Sequence, residues 1–332
     1  MNALVPAFRH LSPAGAKGQL SILAFHRVLR EGDALFPDVP DARRFARILT
    51  WLKGWFNVLP LDEAIDRLSR GELPERAASI TFDDGYADNY TEALPLLREH
   101  GMSATFFVAT GFLDGGRMWN DTVIEAIRRS RHDSVDLSAI GLPRLPIASL
   151  IERRAAIERC IKALKYRPLS QRVADAEQVA VAAQTTPPDD LMMKSAEVQE
   201  LHRSGMQIGA HTVSHPILTR LASDDARREI EGSRARLEEL LDAPVKCFAY
   251  PNGKAGDDYS DEHVALIRDI GFAYGLSTNP GAAGKGSDLM QLPRFTPWDR
   301  TSFRFGARLL ANLASARRRS RSDLDRPERI QL

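Results

Sequence analysis

Short runs rich in β-branched and aromatic residues recur along this chain, and each is closely followed by a segment with helical periodicity. The runs fall at 20–25, 78–82, 104–109, 207–210, 245–250 and 272–277. Helical patterns follow at 42–53, 61–69, 90–100, 195–204, 223–241 and 261–269. Several open at a Ser or Asp able to cap the free N–H groups of a first turn. Strands alternating with helices imply a parallel sheet clad in helices. A closed barrel and an open doubly wound sheet both satisfy that pattern, and 332 residues suffice for either.

The rhythm breaks between residues 121 and 190, where helical patterns at 151–164 and 170–183 are joined by Pro143, Pro146, Pro168, Pro187 and Pro188. We read this stretch as a helical insertion forming a lid, an overlong crossover being the alternative. Residues 1–300 are expected to form one domain and 301–332 a basic tail. In that tail Arg304, Arg308, Arg317, Arg318, Arg319, Arg321, Arg326 and Arg329 oppose only Asp323, Asp325 and Glu328. A solvated tail is the simpler reading. The sharper one lays Phe303, Leu309, Leu310 and Leu313 on a membrane surface with arginines at the phosphates.

Bulk properties exclude several classes. A formal net charge of +1 gives no global reason to expect nucleic acid. Cys160 and Cys247 form no CxxC pair, so neither a disulfide framework nor a thiolate zinc site is expected. The first residues lack an apolar signal-peptide run and no stretch reaches the roughly 18 apolar residues of a bilayer span. The expectation is a cytoplasmic protein, with membrane association only through the tail.

Two short motifs carry the chemistry. Ser79-Ile-Thr-Phe-Asp-Asp-Gly-Tyr86 is an apolar strand ending in adjacent carboxylates. The C-terminal ends of parallel strands carry sites, and two neighbouring carboxylates repel unless a cation lies between them. Gly209-Ala-His-Thr-Val-Ser-His-Pro216 follows another strand. Its histidines, four residues apart, can reach one point, and Pro216 favours a loop over a helix at His215. One carboxylate and two histidines leave open positions for water and substrate, the catalytic form of a zinc site. The second carboxylate is then free to act as general base.

TFDDG followed by HTxxH resembles the NodB-type polysaccharide deacetylases, carbohydrate esterase family 4, over roughly residues 15 to 300. The resemblance implies an α/β fold, a distorted, incomplete (β/α) barrel. It also implies Asp83 as base and Asp84, His211 and His215 as ligands of a divalent metal, zinc first, with cobalt, nickel or manganese as substitutes. Thr212 would brace the loop. The family's Arg-x-Pro-Tyr-Gly motif finds only Ala249-Tyr-Pro-Asn-Gly253 here, with Ala249 in the arginine's place. Arg294 is the candidate to restrain Asp83 instead. The Asn252 N–H is the candidate oxyanion donor, and Tyr250, Arg294 and Trp119 complete the expected substrate set.

No histidine follows His263, so the family's late acid is missing. His26, just past the first strand, is the expected replacement, as in members with permuted order. Together these readings predict hydrolytic N-deacetylation of a carbohydrate or glycolipid. Three alternatives stand beside it: hydrolysis of a non-sugar amide or imide, an Fe(II) enzyme using the same triad, and a non-hydrolytic glycan-binding module.

Overall fold

The computed structural model describes residues 2–324; Arg326 and Arg329 lie outside the described residues, and of Arg318, Arg319 and Arg321 only the backbone is described. Its strands are β1 (Leu20–Phe25), β2 (Asn57–Val58), β3 (Ala77–Phe82), β4 (Thr105–Val108), β5 (Ser134–Val135), β6 (Leu145–Pro146), β7 (Gln207–Ala210), β8 (Cys247–Ala249), β9 (Tyr274–Pro280) and β10 (Leu292–Arg294). The helices are α1 (Val5–Leu11), α2 (Ala42–Trp55), α3 (Leu61–Arg70), α4 (Leu94–His100), α5 (Trp119–Arg129), α6 (Leu150–Leu164), α7 (Leu169–Ala182), α8 (Ser195–Arg203), α9 (Ser223–Leu241), α10 (Asp261–Ile270) and α11 (Ser302–Leu324). The strands run in the order β1-β3-β4-β7-β8-β9-β10, all parallel, with β2 added to the start of β3. Phe295, just past β10, pairs back onto β1: its N–H donates to Ile22 O at 2.8 Å and its carbonyl accepts from Ala24 N–H at 3.0 Å. The sheet is therefore a nearly closed barrel, which settles the choice the rhythm left open.

Side-chain alternation sorts each strand into two cores. Outward, Phe25, Phe82 and Phe106 stack at 5.4 and 4.9 Å between centroids, with Phe45 of α2 edge-on to the first two. Inward, Leu20, Ile22, Phe107, Cys247, Tyr274, Leu276 and Leu292 fill the barrel. Gly209 is needed there, since a Cβ would stand 2.5 Å from the Phe107 ring. Leu61, Ala64, Ile65 and Leu68 of α3 join this inner cluster beside Leu20, Ala77, Tyr274 and Leu292, the residues that begin β1, β3, β9 and β10. The N-terminal ends of the strands are thus plugged, leaving the C-terminal ends to carry a site.

Between β4 and β7 the chain builds a unit with its own core. Val123, Ile127, Val135, Ile147, Ile157, Cys160, Leu164 and Val179 pack together there. The loop after β1 docks on this unit: Leu35 enters its core, and Asp33 pairs with Arg128 at 2.6 Å. At the α6–α7 turn, Tyr166 faces Arg220 of the loop after β7, with guanidinium to ring centroid 5.4 Å. The unit thus reaches from the loop after β1 to the loop after β7.

The tail departs from both sequence readings. Phe305, Leu309 and Leu313, spaced four apart on α11, are fully buried against the outer core. The Phe305 ring lies 5.8 Å from Trp51 and 6.0 Å from Trp55. This apolar stripe covers α2 rather than a membrane, because α2 and α1 otherwise expose a face of Phe8, Trp51 and Trp55. Leu310 packs partly against the same core, and only Phe303 is exposed. Among the described residues no helix is long and apolar enough to cross a membrane.

Candidate active site

Asp83 follows Ala77, Ser79 and Thr81 on the inward parity of β3 and turns into the barrel mouth. Arg294, on the inward parity of β10, meets it through two hydrogen bonds of 2.7 Å each, and both side chains are almost wholly buried. Arg294 is held in turn by the Ser277 carbonyl at 2.9 Å. Burial alone would raise the Asp83 carboxyl, but the Arg294 guanidinium beside it, helped by His211 and His26, holds it below the usual carboxylate range. The Asp83 carboxylate is therefore ionised and fixed in direction by a bidentate fork. This corrects the grouping of Arg294 with substrate contacts: it is sealed behind Asp83 and restrains it.

Asp84 would face outward on strand parity, but its φ of +78° reverses the chain, and Gly85 at +90° completes the turn. Its carboxylate consequently arrives beside His211 and His215. His211 continues the inward parity of β7 past Gly209. The loop between the histidines carries left-handed residues at Thr212 (+65°) and His215 (+51°). Such strain needs support. Thr212 Oγ1 accepts from His215 N–H at 3.1 Å, and Glu229 of α9 accepts from the Val213 and Ser214 N–H groups at 2.9 and 2.8 Å.

Asp84 Oδ1 is buried and receives no hydrogen bond among the described residues. His211 Nε2 stands 3.5 Å and His215 Nε2 3.4 Å from it. Two ligands each about 2.1 Å from a tetrahedral ion the size of zinc would lie about 3.4 Å apart. All three donor atoms lie within 4.8 Å of one another. An orphaned buried acceptor facing two imidazoles at that spacing fits a shared cation. His211 Nδ1–H donates to the Ala249 carbonyl at 2.7 Å, which turns the Nε2 lone pair toward Asp84. Desolvation pushes His215 down to about 4, so its ring is neutral and able to ligate. In His211 desolvation acts the same way, but Asp84 and Asp83 outweigh it and raise this imidazole.

His26 shares the inward parity of Leu20 and Ile22 and emerges exposed at the end of β1. Because Phe25 pairs with Phe82, the residues that follow them, His26 and Asp83, leave neighbouring strands at the same end of the barrel. Asn252 has a φ of +59°, and its N–H finds no acceptor among the described residues.

Two expected substrate contacts lie elsewhere. Tyr250 takes the outward parity of β8, stacks on Tyr259 at 3.8 Å and donates its hydroxyl to Met290 O at 3.0 Å. Its side chain belongs to the outer core. Trp119 packs on the core of the inserted unit, and the Arg172 guanidinium covers its ring at 5.1 Å. The ring is thereby tied to the insertion. His263 is buried in the cap of α10.

Glu229, Asp88 and Asn89 carry bonds to the site that sequence reading did not single out. Glu229 is one acid among many on a charged helix, with no local signal. Asp88 and Asn89 follow the first motif by only a few positions, and that proximity was the available clue.

A polysaccharide deacetylase family model matches residues 70–275, more than half of the chain. The Bacillus subtilis (strain 168) protein YxkH, which carries the name of a polysaccharide deacetylase, is 22% identical over 278 residues, covering 83% of this chain and 70% of that protein. Among solved structures, Streptococcus pyogenes deacetylase PplD in complex with acetate superposes with a TM-score of 0.59 at 19% identity, over 89% of this chain and 98% of that one. IcaB from Ammonifex degensii gives 0.58 at 19% identity, over 91% and 98%. At such identities the structural likeness is one of fold, the NodB (β/α) barrel. Together, the family match over most of the barrel and the shared architecture show that this chain belongs to the polysaccharide deacetylase family and is a carbohydrate deacetylase.

Proposed function

We propose that this protein hydrolyses the acetamide of an N-acetylated sugar in a polysaccharide or glycolipid, releasing acetate and a free amine. The observation that carries the reading is Asp83: a second carboxylate beside the Asp84, His211 and His215 cluster, buried and clamped by Arg294. An oxygenase triad has no use for such a base, and a binding module has no reason to bear the desolvation of the pair. A divalent ion held by Asp84, His211 and His215, zinc first among the candidates, would supply Lewis acidity and an acidified water.

The remaining work falls to the chain. Asp83 takes the proton of the attacking water as the new C–O bond forms, and Arg294 keeps that carboxylate ionised and aimed. The Asn252 N–H stabilises the negative charge that develops on the acyl oxygen. His26 delivers a proton to the departing nitrogen as the C–N bond breaks. An acetate-release assay across N-acetylated glycans and lipid-linked amino sugars tests the reading. Release that is lost in Asp83→Asn supports it, while no release from any amino sugar by metal-loaded protein would overturn it.

A further inference from the structure

Past Phe25 the β1–β3 ladder ends, so residues 26–28 have no sheet neighbour to fix them. The His26 ring itself makes no hydrogen bond among the described residues, and the residue is exposed. A proton donor on an unsupported segment would spend little time in a productive position. The support comes from the chain that follows the Asp83-Asp84-Gly85 turn. Asn89, fully buried, donates from Nδ2 to the His26 carbonyl at 2.8 Å. Asp88, also buried, accepts from Val28 N–H on Oδ1 at 3.1 Å and from Arg27 Nε on Oδ2 at 2.7 Å. The Arg27 guanidinium then lies 4.6 Å from the Tyr86 ring, whose hydroxyl donates to the buried Asp121 carboxylate at 3.1 Å.

We infer that Asn89 and Asp88 are positioning residues for His26, an inference that rests on the proposed role of His26 as acid. Both sit at the start of a π-helical turn spanning Asn89–Ala93. Such wide turns are rare and concentrate at functional sites. One continuous piece of chain, 83–89, therefore carries the base and a metal ligand at one end and holds the acid loop at the other. Spacing between the acid and the metal corner is set by this short segment rather than by the barrel as a whole.

The test exploits leaving groups. An amine must be protonated to depart, whereas nitrophenolate leaves unprotonated, so metal-loaded protein is assayed on a β-linked N-acetylglucosamine pentamer and on para-nitrophenyl acetate. His26→Ala is expected to lower kcat on the amide about 100-fold or more, the usual contribution of a general acid, with ester turnover within about threefold of the parent. Asn89→Ala should show the same split at about tenfold, and Asp88→Asn, which keeps the shape and an acceptor for Val28 N–H but loses the charge and the acceptor oxygen facing Arg27, a smaller split in the same direction. If Asn89→Ala fails to fold, Asp88→Asn carries the comparison alone. Equal losses on both substrates in Asn89→Ala and Asp88→Asn, or no loss in either, while His26→Ala shows the split, would overturn the clamp and leave the acid standing. Absence of any split in His26→Ala would instead overturn the acid.

Discussion

At the barrel mouth Asp83, Asp84 and His211 are buried, and each is aimed by strand parity or by a left-handed turn. Next to Asp83, at the end of the neighbouring strand β1, His26 is exposed and, among the described residues, held through its backbone. The two environments divide the proposed reaction. The proposed base and ligands, which must stay charged or neutral in a fixed sense, are locked in low dielectric where neighbours set their protonation. The proposed acid, His26, which would gain and lose a proton each turnover, stays in contact with solvent. Burial buys control of charge, and exposure keeps exchange fast.

Breaking the buried set should have the largest effects. Asp84→Ala or His215→Ala is expected to take metal content from about one divalent ion per chain to near zero, with acetate release lost; metal analysis of purified protein checks this, and unchanged metal would remove the ligand assignment. Asp83→Asn should keep the metal and lower turnover about 100- to 10,000-fold. Arg294→Met leaves Asp83 buried without its partner. Losing one member of such a pair costs about 3–5 kcal/mol, measurable by chemical denaturation.

The pH dependence of Arg294→Met has a defined sign. In the parent the Asp83 carboxyl is held low, so its stabilising contribution is present above the ordinary carboxylate value and is lost as pH falls through the lowered one. Without Arg294, burial is no longer offset and the carboxyl rises, so the acid limb of kcat/KM should move to higher pH. An unmoved limb would assign that limb to another group.

The smallest effect separates the two histidines. His211 is raised and His215 is pushed down to about 4. Metal uptake just below the ordinary histidine value should then release about one proton, from His211 alone. Calorimetry in buffers of different ionisation enthalpy reads that number directly. Release near zero would mean that both rings are already neutral before the metal binds.

Much of the barrel was legible because its strands are apolar runs bounded by turn residues: β1 and β7 match their sequence readings end to end, as does α9. β2 and β10 were missed, since two or three residues cannot establish a period. The tail was misread for a different reason. An amphipathic helix announces that it needs an apolar surface, not which one, and only the exposed faces of Phe8, Trp51 and Trp55 decide that α11 packs inward. Tyr250 failed in the same manner, because motif position suggested the mouth while strand parity sends it to the outer core.

Sequence by itself determined which residues meet at the mouth. Asp83, Asp84, His211 and His215 lie in two short motifs whose order and spacing need no partner to be recognised. Tertiary structure alone decided what supports them: Arg294 comes to Asp83 from 211 residues away, Asn89 reaches His26 across 63, and Glu229 braces the histidine loop from the helix that follows it. Local pattern records which groups the chemistry needs. Long-range partners depend on barrel closure and strand parity, which bring distant side chains to one point and leave little trace in the residues next to them.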